Sequence, residues 1–176
     1  LLSQVDASVG GKLGIDFKGF KNHIGVFNQP EGVLIGEEFL GTLPEPELRS
    51  GYAEVIKHGL IRNVNYFNSL KTENWQAQSW KDIISVSVGI KRDVVDKDPK
   101  EDGLRKILNF GHTIGHAVES YYLDPPFHLL HGEAIAIGMI AEAYLSHKFL
   151  RLPKEELGII QENLLAVFGK IQIDKK

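Results

Sequence analysis

The chain has 176 residues, a formal net charge of −3, 43% hydrophobic residues and no cysteine. That balance gives no basic field for nucleic acid or an anionic membrane surface, and the lack of thiols excludes disulfides and thiolate metal sites. No apolar run reaches the ~20 residues needed to span a bilayer, and the first residues lack the basic and long apolar regions of a signal peptide, so the expectation is a cytoplasmic protein entered mid-domain and truncated at both ends.

Residues 1–43 are glycine-rich and carry short apolar runs, HIGVF at 23–27 and GVLIG at 32–36. This pattern predicts strands, turns and close backbone approaches. From Pro44 the pattern becomes helical. A first helix is expected over 44–61, with Thr42 as its cap and acidic residues in its first turn. Further helices are expected over 79–95, 104–122 and 131–150, and a fifth starts at Pro153, followed by Glu155 and Glu156. Asp124-Pro125-Pro126 breaks the chain between the third and fourth. The fold class is therefore mainly α: a short β-containing segment followed by a helical bundle.

Polar residues with chemical potential gather on these helices. On a third helix at 100° per residue, Arg105, Asn109, His112 and His116 fall within roughly 60° of one another. The stripe is narrow and holds no Lys or Glu, which argues for a polar cavity over a solvated face. Gly111 and Gly115 would each cost about 1 kcal/mol in an exposed helix interior, so close packing explains them better. Glu54 and Lys57 share a face between apolar neighbours. Either His128 or His131 can supply a ligand at the start of the fourth helix. A Glu with two His is a sound zinc set that leaves a coordination position open. HxxxH without an intervening Glu is not the metalloprotease motif. His23, His58 and His147 read as ordinary solvated or satisfied histidines. Lys12, Lys21, Lys57, Lys91 and Arg105 beside a metal point to a polyoxygenated anion, such as a sugar phosphate or a carboxylate.

Five segments, QVDASVGGK (4–12), KNHIGVFNQP (21–30), FLGTLPEPELRSGYAEVIKHG (39–59), EDGLRKILNFGHTIGHAVE (101–119) and LLHGEAIAIGM (129–139), together resemble the 3-dehydroquinate synthase family. The resemblance implies a two-domain α/β enzyme with the active site between its domains. Residues 1–43 would end the N-terminal nucleotide-binding domain, and residues 44–176 would form the helical metal- and substrate-binding domain. It also implies NAD and a divalent metal, zinc or another such as cobalt, and a homodimeric full enzyme. By resemblance, Glu54, His112 and His131 bind the metal. Arg105 and Asn109 lie by the substrate carboxylate. Lys12, Asn22 and His116 lie by the phosphate. Lys57, Lys91 and Glu101 contact hydroxyls or the carboxylate. Asp6 lies between substrate and nicotinamide, and Lys21 and Thr42 contact NAD.

The implied reaction converts 3-deoxy-D-arabino-heptulosonate 7-phosphate to 3-dehydroquinate and phosphate in the shikimate pathway. Its steps are oxidation of a ring hydroxyl, phosphate elimination, return of the hydride, ring opening and aldol closure. Leu13 stands where the family usually has Thr, and Phe20 where it commonly has Gly. The family's glycine-rich nucleotide loop lies upstream of these residues, so little or no synthase activity is expected from them alone. The competing readings are another sugar-phosphate cyclase, such as a 2-deoxy-scyllo-inosose synthase, and a non-catalytic metal-binding helical domain.

Overall fold

A computed structural model describes residues 2–18, 20–71, 74–122 and 129–171, with the side chains of Asp16, Phe20, Lys21 and Asn22 outside that description. His128, the alternative to His131, and the Asp124-Pro125-Pro126 break also lie outside the described residues.

The glycine-rich segment forms a one-turn helix α1 (Gln4–Ala7) and an antiparallel hairpin of β1 (Lys12–Phe17) and β2 (Phe20–Phe27). HIGVF lies within β2, as its β-branched residues predict, but GVLIG forms no strand. A 3₁₀ turn, Glu37–Thr42, leads into the helices.

Helix α2 (Glu45–Arg62) starts two residues later than a Thr42 cap would require. Pro44 is its N-cap, while Thr42 ends the preceding 3₁₀ turn and donates only a 3.5 Å hydrogen bond to the Phe39 carbonyl. Glu45 and Glu47 still place negative charge at the positive end of the helix dipole. A short α3 (Val64–Ser69) follows, capped by Asn63, whose side chain accepts from Tyr66 N at 3.0 Å. Helix α4 (Trp80–Lys97) is capped by Ser79, α6 is His131–Leu150, and α7 (Lys154–Phe168) begins after Pro153.

The predicted helix 104–122 is two elements. Leu104–Asn109 is 3₁₀, and α5 (His112–Tyr121) begins after Gly111, whose φ is +81°. The 100° spacing therefore does not run through the polar stripe. The physical reason is Gly111, which takes the left-handed conformation that side chains resist. A Cβ there would also lie 2.5 Å from Met139 Cγ.

Helix α2 is the central element. Its residues Gly51 to Gly59 are buried, and it packs on α3, α4 and α6. Tyr52, Val55, Ile56, Ile135, Met139 and Leu164 form the middle of the core, with Leu2 and Val5 of the N-terminal segment tucked against them. Tyr52 stacks on Trp75 at 4.9 Å. The hairpin stands apart from this core, with Leu13, Ile15, Ile24 and Val26 more than half exposed. No helix among the described residues is long and apolar enough to cross a membrane.

Candidate active site

Seven elements bring the predicted polar residues to one cavity of about 300 Å³. Its walls are Asp6 from α1, Lys12 from β1, Lys57 from α2, Lys91 from α4, Glu101, Arg105 and Asn109 from the loop and 3₁₀ turn, and His112, His116 and His131. Although the stripe is broken at Gly111, both halves face the same space.

Glu54 sits at one wall. Helix α2 carries it into the core, where it is 3% exposed. Its Oε1 lies 3.4 Å from His112 Nε2 and 3.7 Å from His131 Nε2. This approach depends on Gly132. A Cβ at that position would collide with the Ser50 backbone, one turn before Glu54, while the Gly132 N–H donates to Ser50 Oγ at 2.9 Å. The absent side chain lets the start of α6 close onto α2.

Both histidines have their other nitrogen committed. His112 Nδ1 is 3.2 Å from the Phe110 carbonyl, and His131 Nδ1 is 3.3 Å from Glu119 Oε2. A carbonyl and a carboxylate only accept, so each Nδ1 carries the proton and each neutral ring turns an Nε2 lone pair toward Glu54. Glu54 Oε1 has no hydrogen-bond partner among the described residues. Three electron-pair donors thus face one another, an arrangement that a cation completes. The residues present fit a divalent metal.

The electrostatics agree. Burial pushes the Glu54 carboxyl up, but the Lys57 ammonium and His131 outweigh it and hold it at about 2. Glu54 raises the His131 imidazole against burial, with help from Glu119. Burial holds the His112 imidazole below its ordinary value. The ligand nitrogens of His112, His116 and His131 also lie within 4.8 Å of one another, so His116 reaches the same centre.

Every lysine of the cavity has a carboxylate partner. Lys57 pairs with Glu54 and lies 3.5 Å from Asp6 Oδ1. Lys91 lies 2.8 Å from Asp6 Oδ1 and also donates to the Asp6 carbonyl. Lys12 pairs with Glu101, which accepts from Asn109 Nδ2 at 3.0 Å. Burial drives the Lys91 ammonium down, while Glu54 and Asp6 overcome burial and raise that of Lys57. The buried Arg105 donates to the Pro99 carbonyl at 2.9 Å and the Gly10 carbonyl at 3.0 Å, tying the N-terminal segment to the loop. An entering anion would re-partner cations already held in place.

Asp6, Glu54 and His58 form a second group with ligand atoms within 4.8 Å of one another, but the Lys57 ammonium already supplies its cation. Here the expectation of an ordinary histidine fails for His58. It is fully buried, neither ring nitrogen has a hydrogen-bond partner among the described residues, and Nε2 is 3.8 Å from Asp6 Oδ1. His147 is satisfied by the Leu152 carbonyl at 2.7 Å, and His23 lies on the exposed hairpin. Thr42 lies away from the cavity, and the Lys21 and Asn22 side chains fall outside the described residues.

Two residues escaped the sequence reading. Glu119 shares a face with His112 and His116 at a spacing of i, i+4, i+7, a signal that was available. Asp98 accepts from the N–H groups of Asp102, Gly103 and Arg105 at 3.0, 2.8 and 2.9 Å and so shapes the loop bearing Glu101. Nothing in its local spacing marks that role.

Fold and site together define a helical domain with a buried Glu–His–His cluster beside a lysine-lined cavity, and the class its fold matches is that of the sugar-phosphate cyclases. Its fold matches the 2-epi-5-epi-valiolone synthase ValA of Streptomyces hygroscopicus subsp. jinggangensis, solved with NAD+ and Zn2+, at a TM-score of 0.84 and 28% identity over 98% of this chain and 49% of that one. It also matches 2-deoxy-scyllo-inosose synthase complexed with carbaglucose-6-phosphate, NAD+ and Co2+, at a TM-score of 0.81 and 26% identity over 96% and 47%. Family models described as 3-dehydroquinate synthase N-terminal and C-terminal match residues 1–50 and 51–175. The chain belongs to the 3-dehydroquinate synthase family. The 3-dehydroquinate synthase of Dictyoglomus thermophilum is 48% identical over 96% of this chain and 48% of its own length, and that of Parabacteroides distasonis is 46% identical over 89% and 45%. The chain spans about half the length of these curated relatives.

Proposed function

We propose that these residues are the metal- and substrate-binding half of a 3-dehydroquinate synthase. The reaction is conversion of 3-deoxy-D-arabino-heptulosonate 7-phosphate to 3-dehydroquinate and phosphate, a carbon–oxygen lyase reaction with NAD and zinc or cobalt. The carrying observation is Glu54 Oε1, without a hydrogen-bond partner among the described residues, facing His112 and His131 beside a cavity with three lysines. Identities of 46–48% to 3-dehydroquinate synthases, against 26–28% to the two other cyclases, favour this substrate among the cyclase chemistries. We place the domain divide before α2, at residue 43, where the hairpin segment gives way to helices.

Glu54, His112 and His131 hold the metal in this reading. Glu54 is preferred to His116 as third ligand because its buried oxygen is otherwise unsatisfied. His116, one turn along α5, faces the phosphate with Lys12 and Asn22. When bound, the metal supplies positive charge to adjacent substrate hydroxyls and the carbonyl formed from one of them, and NAD takes and returns the hydride. Lys57 and Lys91 hold the hydroxyl side of the ring, and Arg105 with Asn109 and Glu101 sets the carboxylate end. Asp6, fixed by both lysines, stands between substrate and nicotinamide, while Lys21 and Thr42 contact NAD. The substrate phosphate takes the proton from the carbon acidified by the new ketone as it leaves, so the protein provides no strong base. Its work is to hold one conformer and stabilise developing oxyanions.

The test joins these residues to the N-terminal half of a relative and measures phosphate release. Replacing His131 with Ala is expected to lower turnover by more than ~100-fold, beyond the effect of losing an outer-shell partner. Intact turnover in that variant overturns the metal site. The 176 residues alone are expected to give little or no turnover, and measurable phosphate release with NAD would refute this.

A further inference from the structure

We infer that Glu119 is a positioning residue for the metal, acting through His131, an inference that rests on the metal reading above. Glu119 is 8% exposed and its Oε2 is 3.3 Å from His131 Nδ1. Helix α5 carries His112, His116 and Glu119 on one face at i, i+4 and i+7, and that face meets the first residue of α6. His131 is the most exposed of the triad, its side chain 41% accessible against 16% for His112 and 4% for Glu54. At the first residue of a helix it has little of its own element around it. The ring needs an anchor to present Nε2 to Glu54 Oε1, and Glu119 supplies one. Accepting the Nδ1 proton fixes the tautomer, leaves the Nε2 lone pair for the metal and makes the imidazole a stronger donor. His112 has the corresponding anchor in the Phe110 carbonyl. One ligand is thus oriented by neutral backbone and the other by a carboxylate, which adds negative charge to the metal's surroundings.

The experiment uses the 176-residue chain and the metal alone. Zinc affinity is measured by chelator competition and Co2+ binding by its visible absorption. The wild type is expected to bind one ion, and Glu54→Ala to lose binding. Glu119→Ala is expected to bind ~10–100-fold more weakly with a changed Co2+ spectrum, whereas Glu119→Gln, whose amide oxygen still accepts the Nδ1 proton, recovers most of the loss. Unchanged affinity and spectrum in folded Glu119→Ala overturn the inference while leaving the metal site standing. Failure of the wild type to bind metal overturns both. Should Glu119→Ala fail to fold, nitrogen NMR of wild-type His131 decides. Protonated Nδ1 with metal on Nε2 supports the inference, and the reverse assignment ends it.

Discussion

Gly132 lacks a side chain because α6 enters the bundle against the backbone of Ser50. Adding one methyl there forces α6 outward and separates His131 from Glu54, so Gly132→Ala is expected to destabilise the fold by about 1–3 kcal/mol and to weaken zinc binding together with it. Urea unfolding and zinc titration of the same variant measure the two effects; an unaltered midpoint would show that α6 tolerates the methyl. Asp6 links the N-terminal segment to α2 and α4 through Lys57 and Lys91. Burial pushes its carboxyl up, but His58 and the two lysines outweigh this and hold it well below 3.8. A carboxyl depressed on folding contributes stability above its unfolded value and loses it as pH falls through the folded one. Asp6→Asn should therefore flatten the stability–pH curve below about pH 4. It should also cost about 1–2 kcal/mol at neutral pH, less than a fully buried pair because the Asp6 side chain is 35% exposed. An acid limb as steep as the wild type's would locate that dependence elsewhere.

Most helices were legible in the sequence because their boundary chemistry is local. Ser79 before α4, Pro153 before α7 and the acidic first turns of α2 and α7 act through the nearest backbone N–H groups. The break inside 104–122 was not legible, since apolar residues recur across it and Gly111 earns its conformation from packing on Met139, a residue of another helix. Short α3, with Tyr66 bonded to Ser87 and the Ile83 carbonyl, is likewise fixed by its neighbour. The site was read mostly through the family motifs; spacing alone left His128 and His131 open and passed over His58, whose burial is set by α1 and α2 together. The loop 98–105 shows the same limit. Glu101 has φ of +63°, a conformation a non-glycine residue holds only under constraint, and the Asp98 carboxylate supplies that constraint through three N–H groups. Asp98→Ala is expected to speed hydrogen exchange at Gly103 and Arg105 and to loosen the Lys12–Glu101 pair, with the helical core unaffected. Unchanged exchange at those amides would assign the loop shape to Arg105 and its carbonyl partners instead.

At the scale of the whole molecule, the proposed metal triad joins α2, α5 and α6, with α6 packed against both of the others. A metal there bridges elements far apart in sequence, so it binds the folded chain and has no assembled site in the unfolded one. Binding energy then becomes folding energy: at free zinc about 100-fold above Kd, the gain is about 2.7 kcal/mol. For a domain of this size each kcal/mol moves Tm by about 2–4 °C, so zinc should raise Tm by roughly 5–11 °C. Glu54→Ala removes a ligand and strips Lys57 of its nearest carboxylate, so its metal-free Tm falls as well. The informative quantity is the zinc-dependent increment, which should vanish in Glu54→Ala and persist in His147→Ala, whose imidazole lies at the far end of α6. The exposed hairpin should not share the increment, because its strands pair mainly with each other; its amides are expected to exchange early with or without zinc. Calorimetry of the three chains, each with zinc and with chelator, measures the comparison. An equal zinc increment in wild type and Glu54→Ala would mean that the ion is held without α2, and the bridge between core and chemistry would be lost.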